Sequence, residues 1–113
     1  MSETTIVKGT IVTPTETIPH GEVVVERGKI AYVGPDADHT GKVYDFKGFL
    51  SPGFIDLHVH GGSGFDVMDA SFQSLDGLSK HLSAGGTTSF LPTTYSASQE
   101  NLKLAARTLG AVS

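Results

Sequence analysis

One run constrains this chain more than any other: Phe54-Ile55-Asp56-Leu57-His58-Val59-His60, which follows Ser51-Pro52-Gly53 and stops at Gly61-Gly62. Aliphatic and polar residues alternate through most of it, and turn formers stand at both ends, so it predicts a strand. Successive side chains of a strand point to opposite faces. Asp56, His58 and His60 therefore share one face, and Ile55, Leu57 and Val59 share the other.

The residues that follow say which kind of strand this is. Leu75, Leu78, Ser79 and Leu82 recur at helical spacing from about Phe72 to Ala84, with Ser71 as N-cap and Gly85-Gly86 as the stop. Residues 87–92 predict a second short strand, and Ser98 caps a further helix whose Leu102, Ala105, Ala106 and Leu109 line one face up to about Gly110. Strand, helix, strand, helix is the order of parallel βα units. Parallel barrel strands cover their outer face with helices, which accounts for Ile55, Leu57 and Val59, and keep the inner face at their C-terminal mouth for function.

Residues i and i+2 of a strand lie about 6 to 7 Å apart, so the imidazoles of His58 and His60 can lean onto one metal ion. An isolated His-x-His is more often a half-exposed surface pair. Here the aliphatic outer face, the Pro-Gly approach, the inward Asp56 and the diglycine exit together favour a ligand pair at a barrel mouth. Asp56, one inward position deeper, either orients a ligand or is a buried polar residue satisfied elsewhere; both readings stay open. Gly61 and Gly62, with Gly64, read as a loop whose backbone lets a substrate approach closely, or as a merely flexible exit. Asp66 and Asp69 read as solvent-facing acids. His20 and His39 fall in turns and His81 on the first helix, where surface positions are expected.

The first fifty or so residues are β-rich. Residues 5–12 predict a short strand pair interrupted by a bend or bulge at Gly9. A loop bracketed by Pro14 and Pro19 runs to His20-Gly21. A hairpin follows, with residues 22–26 and 29–33 joined by Arg27-Gly28 and closed by Gly34-Pro35, and residues 42–46 form another strand. Turns at such short intervals suit a small sandwich. The expected fold class is α/β: an incomplete (β/α)8 TIM barrel, its first two βα units over residues 51–113, preceded by part of a small β-sandwich domain over residues 1–50. A closed barrel needs roughly 250 residues. The 113 residues therefore read as the opening of a longer protein, unstable alone, with most of the barrel absent.

Composition removes several function classes. With 38% hydrophobic and 18% charged residues the chain belongs with soluble globular proteins. A net charge of −4, spread along the sequence, gives no footprint for nucleic acid or an anionic membrane. The absence of cysteine leaves histidines and carboxylates as metal ligands and suits a cytoplasmic setting. Residues 1–5 carry no leader pattern, and no run of about 18 apolar residues occurs.

The run from Ser51 to His60 resembles the signature that opens the barrel in the amidohydrolase superfamily, and the hairpin of residues 21–34 is similar to the companion sandwich segment of those enzymes. Residues 61–70 and 85–94 are most similar to the N-acetylglucosamine-6-phosphate deacetylase branch. That resemblance implies that His58 and His60 match the first two metal ligands. It implies divalent metal ions as cofactors, two per complete site, zinc or iron. Some members of the branch replace the paired histidines by amide residues and keep one metal; this chain retains both. The bridging glutamate, later histidines, catalytic aspartate and phosphate contacts are expected beyond Ser113, so no catalytic residue is named.

The implied activity is hydrolysis of the acetamide of N-acetylglucosamine 6-phosphate to glucosamine 6-phosphate and acetate, with the isolated piece inactive. The implied partner is a small-molecule amino-sugar phosphate, in a homodimeric full-length enzyme with no nucleic acid or membrane partner. A dihydroorotase-like or hydantoinase-like cyclic amidase shares the ligand strand, but several of those place a substrate-binding arginine where this chain has Gly61-Gly62-Ser63-Gly64. A non-catalytic scaffold on the same barrel is expected to lose the ligands that His58 and His60 retain.

Overall fold

The computed structural model describes residues 3–35 and 38–112. Met1 and Ser2, which open the stretch read as lacking a leader, and Ser113 lie outside the described residues. The chain is mixed α/β and divides into two compact units, Met1–Pro52 and Gly53–Ser113.

The first unit is one four-stranded sheet. It comprises β1 (Thr4–Val12), β2 (Thr17–Glu26), β3 (Lys29–Pro35) and β4 (Lys42–Leu50), in the order β3-β2-β1-β4. β1 and β3 run antiparallel to β2, whereas β4 pairs with β1 in parallel. The β2–β3 turn forms at Arg27-Gly28, both at positive φ (52° and 73°), the geometry that matches the twist of a two-residue hairpin. Ile6, Ile11 and Val24 are buried on this sheet. Glu22 is 2% exposed, and its carboxylate meets the Lys8 ammonium at 2.8 Å from the directly opposite position on β1. A second sheet facing this one, which a sandwich needs, is not among the described residues.

Two expectations change here. Residues 5–12 are not a strand pair but part of the single strand β1, and Gly9 marks the irregularity, since pairing with β2 shifts between Gly9 and Ile11. The loop read from Pro14 to Gly21 ends at Glu16, and β2 already includes Pro19, His20 and Gly21. Proline is tolerated there because it falls in the bulge between the pairs Gly9–Gly21 and Ile11–Ile18, while the β3 ladder reaches only as far as Gly21.

The second unit begins with β5 (Phe54–Val59). The chain then makes a miniature hairpin, β6 (Gly61–Gly62) and β7 (Phe65–Asp66), passes through a short 3₁₀ helix (Val67–Asp69), and enters α1 (Phe72–Ala84). β8 (Thr87–Pro92) returns parallel to β5, and α2 (Gln99–Gly110) follows. This β5-α1-β8 segment is the parallel βα unit that the sequence predicts. Ser71 and Ser98 cap the helices, each hydroxyl accepting from the backbone N–H three residues on, at 3.1 and 3.2 Å. Val67, Leu75, Leu78 and Ala105 form the buried centre. Of the residues predicted to line α2, Ala106 is exposed. The diglycine does not end the strand pattern as a free loop; it starts the β6–β7 hairpin.

One expectation about packing also changes. Ile55 and Leu57, read as an outer face held under helices, are 66% and 69% exposed. α1 packs instead against β6, β7 and β8.

Candidate functional site

His60 follows the last residue of β5, so His58 and His60 stand at the strand's C-terminal end on one face. Their Nε2 atoms converge to 3.1 Å, with the rings edge to face at 84° and centroids 4.8 Å apart. The other nitrogen of His60 settles its tautomer. Nδ1 lies 2.9 Å from the carbonyl oxygen of Thr93, just past β8. A carbonyl can only accept, so Nδ1 carries the proton and Nε2 of the neutral ring presents a lone pair toward His58. The strand positions hold firmly: Thr93 N–H donates to the Val59 carbonyl at 2.8 Å, and Val67 N–H donates to the His60 carbonyl at 2.8 Å.

The site residues fall into two groups. His58 and His60 are brought together. Asp56 does not reach either imidazole among the described bonds; its Oδ1 accepts from the backbone N–H of His58 at 3.1 Å, bracing the backbone between the two positions. Gly61 and Gly62 each have a packing reason to be glycine. A Cβ on Gly61 would collide with the Phe65 carbonyl across the hairpin, and one on Gly62 would come to 2.8 Å from Cδ2 of His81. His81 thus lies over the hairpin from the last turn of α1.

Of the acids read as solvent-facing, Asp69 is exposed and Asp66 half-buried, and both also cap local structure. Asp66 accepts from Met68 N–H at 2.7 Å, and Asp69 accepts from Asp66 N–H at 3.0 Å, a reciprocal cap on the 3₁₀ helix. Asp69 also takes the Ser74 hydroxyl at 2.7 Å. His39 is not a plain surface residue either, because its ring stacks at a tilt on Tyr32 (5.0 Å) and its Nδ1 lies 3.7 Å from Glu22. His20 lies within β2 and lines a cleft of about 650 Å³ with Lys8, Glu22, Asp45 and Lys47. That cleft belongs to the first unit and holds none of the predicted ligands.

Sequence reasoning missed two contributors, Thr93 and Tyr95, both in the segment that leaves β8. The Tyr95 ring meets His60 edge to face at 5.7 Å, and its hydroxyl donates to Asp66 Oδ2 at 3.3 Å. The negative charge of Asp66 is the main reason the phenol ionises above its ordinary range, with burial, the hydrogen bond to Asp66 and the charge of Asp69 adding to it. The signal for both residues was positional: they fall in the loop at the C-terminal end of a parallel strand, where α/β folds gather functional groups.

The pair fits a metal. Two nitrogens bound tetrahedrally to one zinc at about 2.0 to 2.1 Å stand about 3.3 to 3.4 Å apart, a few tenths of an ångström from the separation here. Imidazole nitrogen suits zinc and iron among the first-row ions. Among the described residues no group of three or more histidines and carboxylates converges, so the pair offers two ligands and no more.

The sequence profile of the amidohydrolase family matches residues 49–112. Over 110 residues the chain is 41% identical to N-acetylglucosamine-6-phosphate deacetylase of Bacillus subtilis, covering 93% of this chain and 28% of that protein. Over 48 residues it is 52% identical to N-acetylgalactosamine-6-phosphate deacetylase of Escherichia coli O157:H7, covering 42% of this chain and 13% of that protein. The crystal structure of N-acetylglucosamine-6-phosphate deacetylase from Pasteurella multocida is similar with a TM-score of 0.84 at 27% identity, covering 96% of this chain and 30% of that one. The chain thus spans less than a third of the length of each of these relatives.

Proposed function

This chain belongs to the amidohydrolase family, and from that premise we propose that the protein containing it hydrolyses the acetamide of N-acetylglucosamine 6-phosphate to glucosamine 6-phosphate and acetate, using divalent metal held in part by His58 and His60. The observation that carries the metal-dependent reading is the pair of Nε2 atoms 3.1 Å apart with the His60 tautomer already set. The substrate class rests on the 41% identity that runs through nearly the whole chain.

Each residue has a part in this reading. When bound, the metal supplies a Lewis acid and lowers the pKa of water toward neutrality. The Thr93 carbonyl keeps the proton of His60 on Nδ1, which leaves Nε2 free to coordinate. With the His60 proton on Nδ1, the 3.1 Å contact has His58 Nε2–H as donor, so His58 would have to carry its proton on Nδ1 instead in order to present Nε2 to a metal as a neutral ligand. Asp56 fixes the backbone amide of His58. Two ions per complete site, zinc or iron, belong to the proposal, as do ligands from outside this chain and a homodimeric, cytoplasmic protein. No helix among the described residues is long and apolar enough to cross a membrane.

A second reading has its own support. The 52% identity to the galactosamine enzyme falls in a short segment, so the C4-epimeric substrate is the natural competitor. Assaying the full-length protein against both epimers, unphosphorylated N-acetylglucosamine and dihydroorotate distinguishes the cases. The highest kcat/KM is expected for N-acetylglucosamine 6-phosphate. Preference for the galactosamine epimer replaces the sugar, and preference for dihydroorotate abandons deacetylation altogether.

A further inference from the structure

We infer that Tyr95 is a positioning residue for His60: its ring packs edge to face with the imidazole, and its hydroxyl ties the segment after β8 to the hairpin after β5. The inference rests on the reading of His58 and His60 as metal ligands.

Three observations combine. First, the segment after β8 touches His60 twice, through the Thr93 carbonyl on Nδ1 at 2.9 Å and through the Tyr95 ring at 5.7 Å and 72°. Aromatic rings prefer edge-to-face contacts of this kind, so the ring contact and the Nδ1 bond restrain the imidazole from two sides. Second, the far end of Tyr95 is not left in water; its hydroxyl donates to Asp66 Oδ2 at 3.3 Å. Third, Asp66 is a firm anchor, because its other carboxylate oxygen accepts from Met68 N–H at 2.7 Å and its own N–H donates to Asp69. Tyr95 therefore spans two segments at the same end of the parallel strand pair, with His60 between them. None of this needs tyrosine for packing, since the side chain is 48% exposed. A half-exposed aromatic wedged on a ligand and tied to a capped acid is placed to orient that ligand rather than to fill a core.

The experiment uses the full-length protein. Zinc affinity is measured by competition with a chromophoric chelator, and the d–d spectrum is recorded after cobalt substitution, for wild type, Tyr95→Phe, Tyr95→Ala, His58→Ala, His60→Ala and the double variant Tyr95→Ala/His60→Ala. Thermal unfolding serves as the fold control. Tyr95→Ala is expected to weaken zinc affinity about 3- to 10-fold, below the range of about 10 to 100 for partners bonded directly to a ligand, and to alter the cobalt spectrum. Tyr95→Phe should lie between it and wild type, because the ring remains. In the His60→Ala background the loss of Tyr95 should change affinity no further. Wild-type affinity and spectrum in both single Tyr95 variants would overturn the inference, as would an equal effect of Tyr95→Ala with His60 absent. If His58→Ala and His60→Ala keep full zinc affinity, the metal reading itself fails; if they lose it while the Tyr95 variants do not, only the positioning role falls.

Discussion

The Nδ1 proton of His60 ends on a backbone carbonyl, a partner that no side-chain substitution removes. What can be removed is the proposed ligand itself. If the proposed reading holds, replacing either His58 or His60 by Ala should lower metal content at this position and reduce deacetylation by the full-length protein by about 100-fold or more, since even indirect partners of ligands cost about 10- to 100-fold. Elemental analysis beside steady-state assays checks this, and full stoichiometry with full activity in both variants would sink the ligand assignment. Tyr95 offers a second test. Because the charge of Asp66 is the first cause of its raised pKa, Asp66→Asn should bring ionisation back to lower pH. The sign is fixed by linkage: a raised folded pKa means that stability tied to this group is complete below the ordinary tyrosine range and declines as pH rises through the folded value. Subtracting the phenolate absorbance of matched Tyr95→Phe chains isolates this group from Tyr32 and Tyr44. An unmoved midpoint would shift the cause to burial or Asp69.

At the scale of elements, α1 contains a glycine that helix propensity alone would discourage. Gly77 to Ala should gain about 1 kcal/mol from propensity, yet a Cβ there would run into the Phe65 ring at three of its atoms. Overpacking of that kind costs about 1 to 3 kcal/mol. The net expectation is destabilisation, read as a lower denaturation midpoint; a stabilised Gly77→Ala would mean that the Phe65 ring swings away freely. The elements legible in the sequence were the locally encoded ones. Ser71 and Ser98 declare their helices through their own hydroxyls, and the alternation from Phe54 to His60 declares β5. What escaped reading depended on partners distant in sequence. Pro19 looked like a breaker because nothing local shows that it falls in a bulge against β1. The reciprocal cap of Asp66 and Asp69 is local instead, and it went unread because nothing in the sequence marked the short 3₁₀ helix that it closes. The His58–His60 pairing was legible from spacing, whereas the roles of Thr93 and Tyr95 were not, since both arrive with β8.

Across the whole molecule, apolar surface is open on both units. Phe49, in the first, is 75% exposed, and Phe54, Ile55 and Leu57, in the second, are 66 to 69% exposed. Burying a large side chain contributes about 1.5 to 3 kcal/mol, so these four together represent roughly 6 to 12 kcal/mol, comparable to the stability of an entire domain. The 113-residue polypeptide is therefore expected to bind anilinonaphthalene sulfonate and to associate in light scattering. A sharp two-state melt from a demonstrated monomer would contradict that. The bond between His60 and Thr93 also sets an order of assembly. It joins positions 33 residues apart, and closing a loop of that length costs on the order of 3 kcal/mol of chain entropy, returned only when β8 docks beside β5. Until then the imidazole of His60 lacks the Thr93 carbonyl that selects its Nδ1 proton. On the proposed metal reading, an ion met before β8 docks would find His60 without its Thr93 acceptor, so that reading expects the crossover to form before loading.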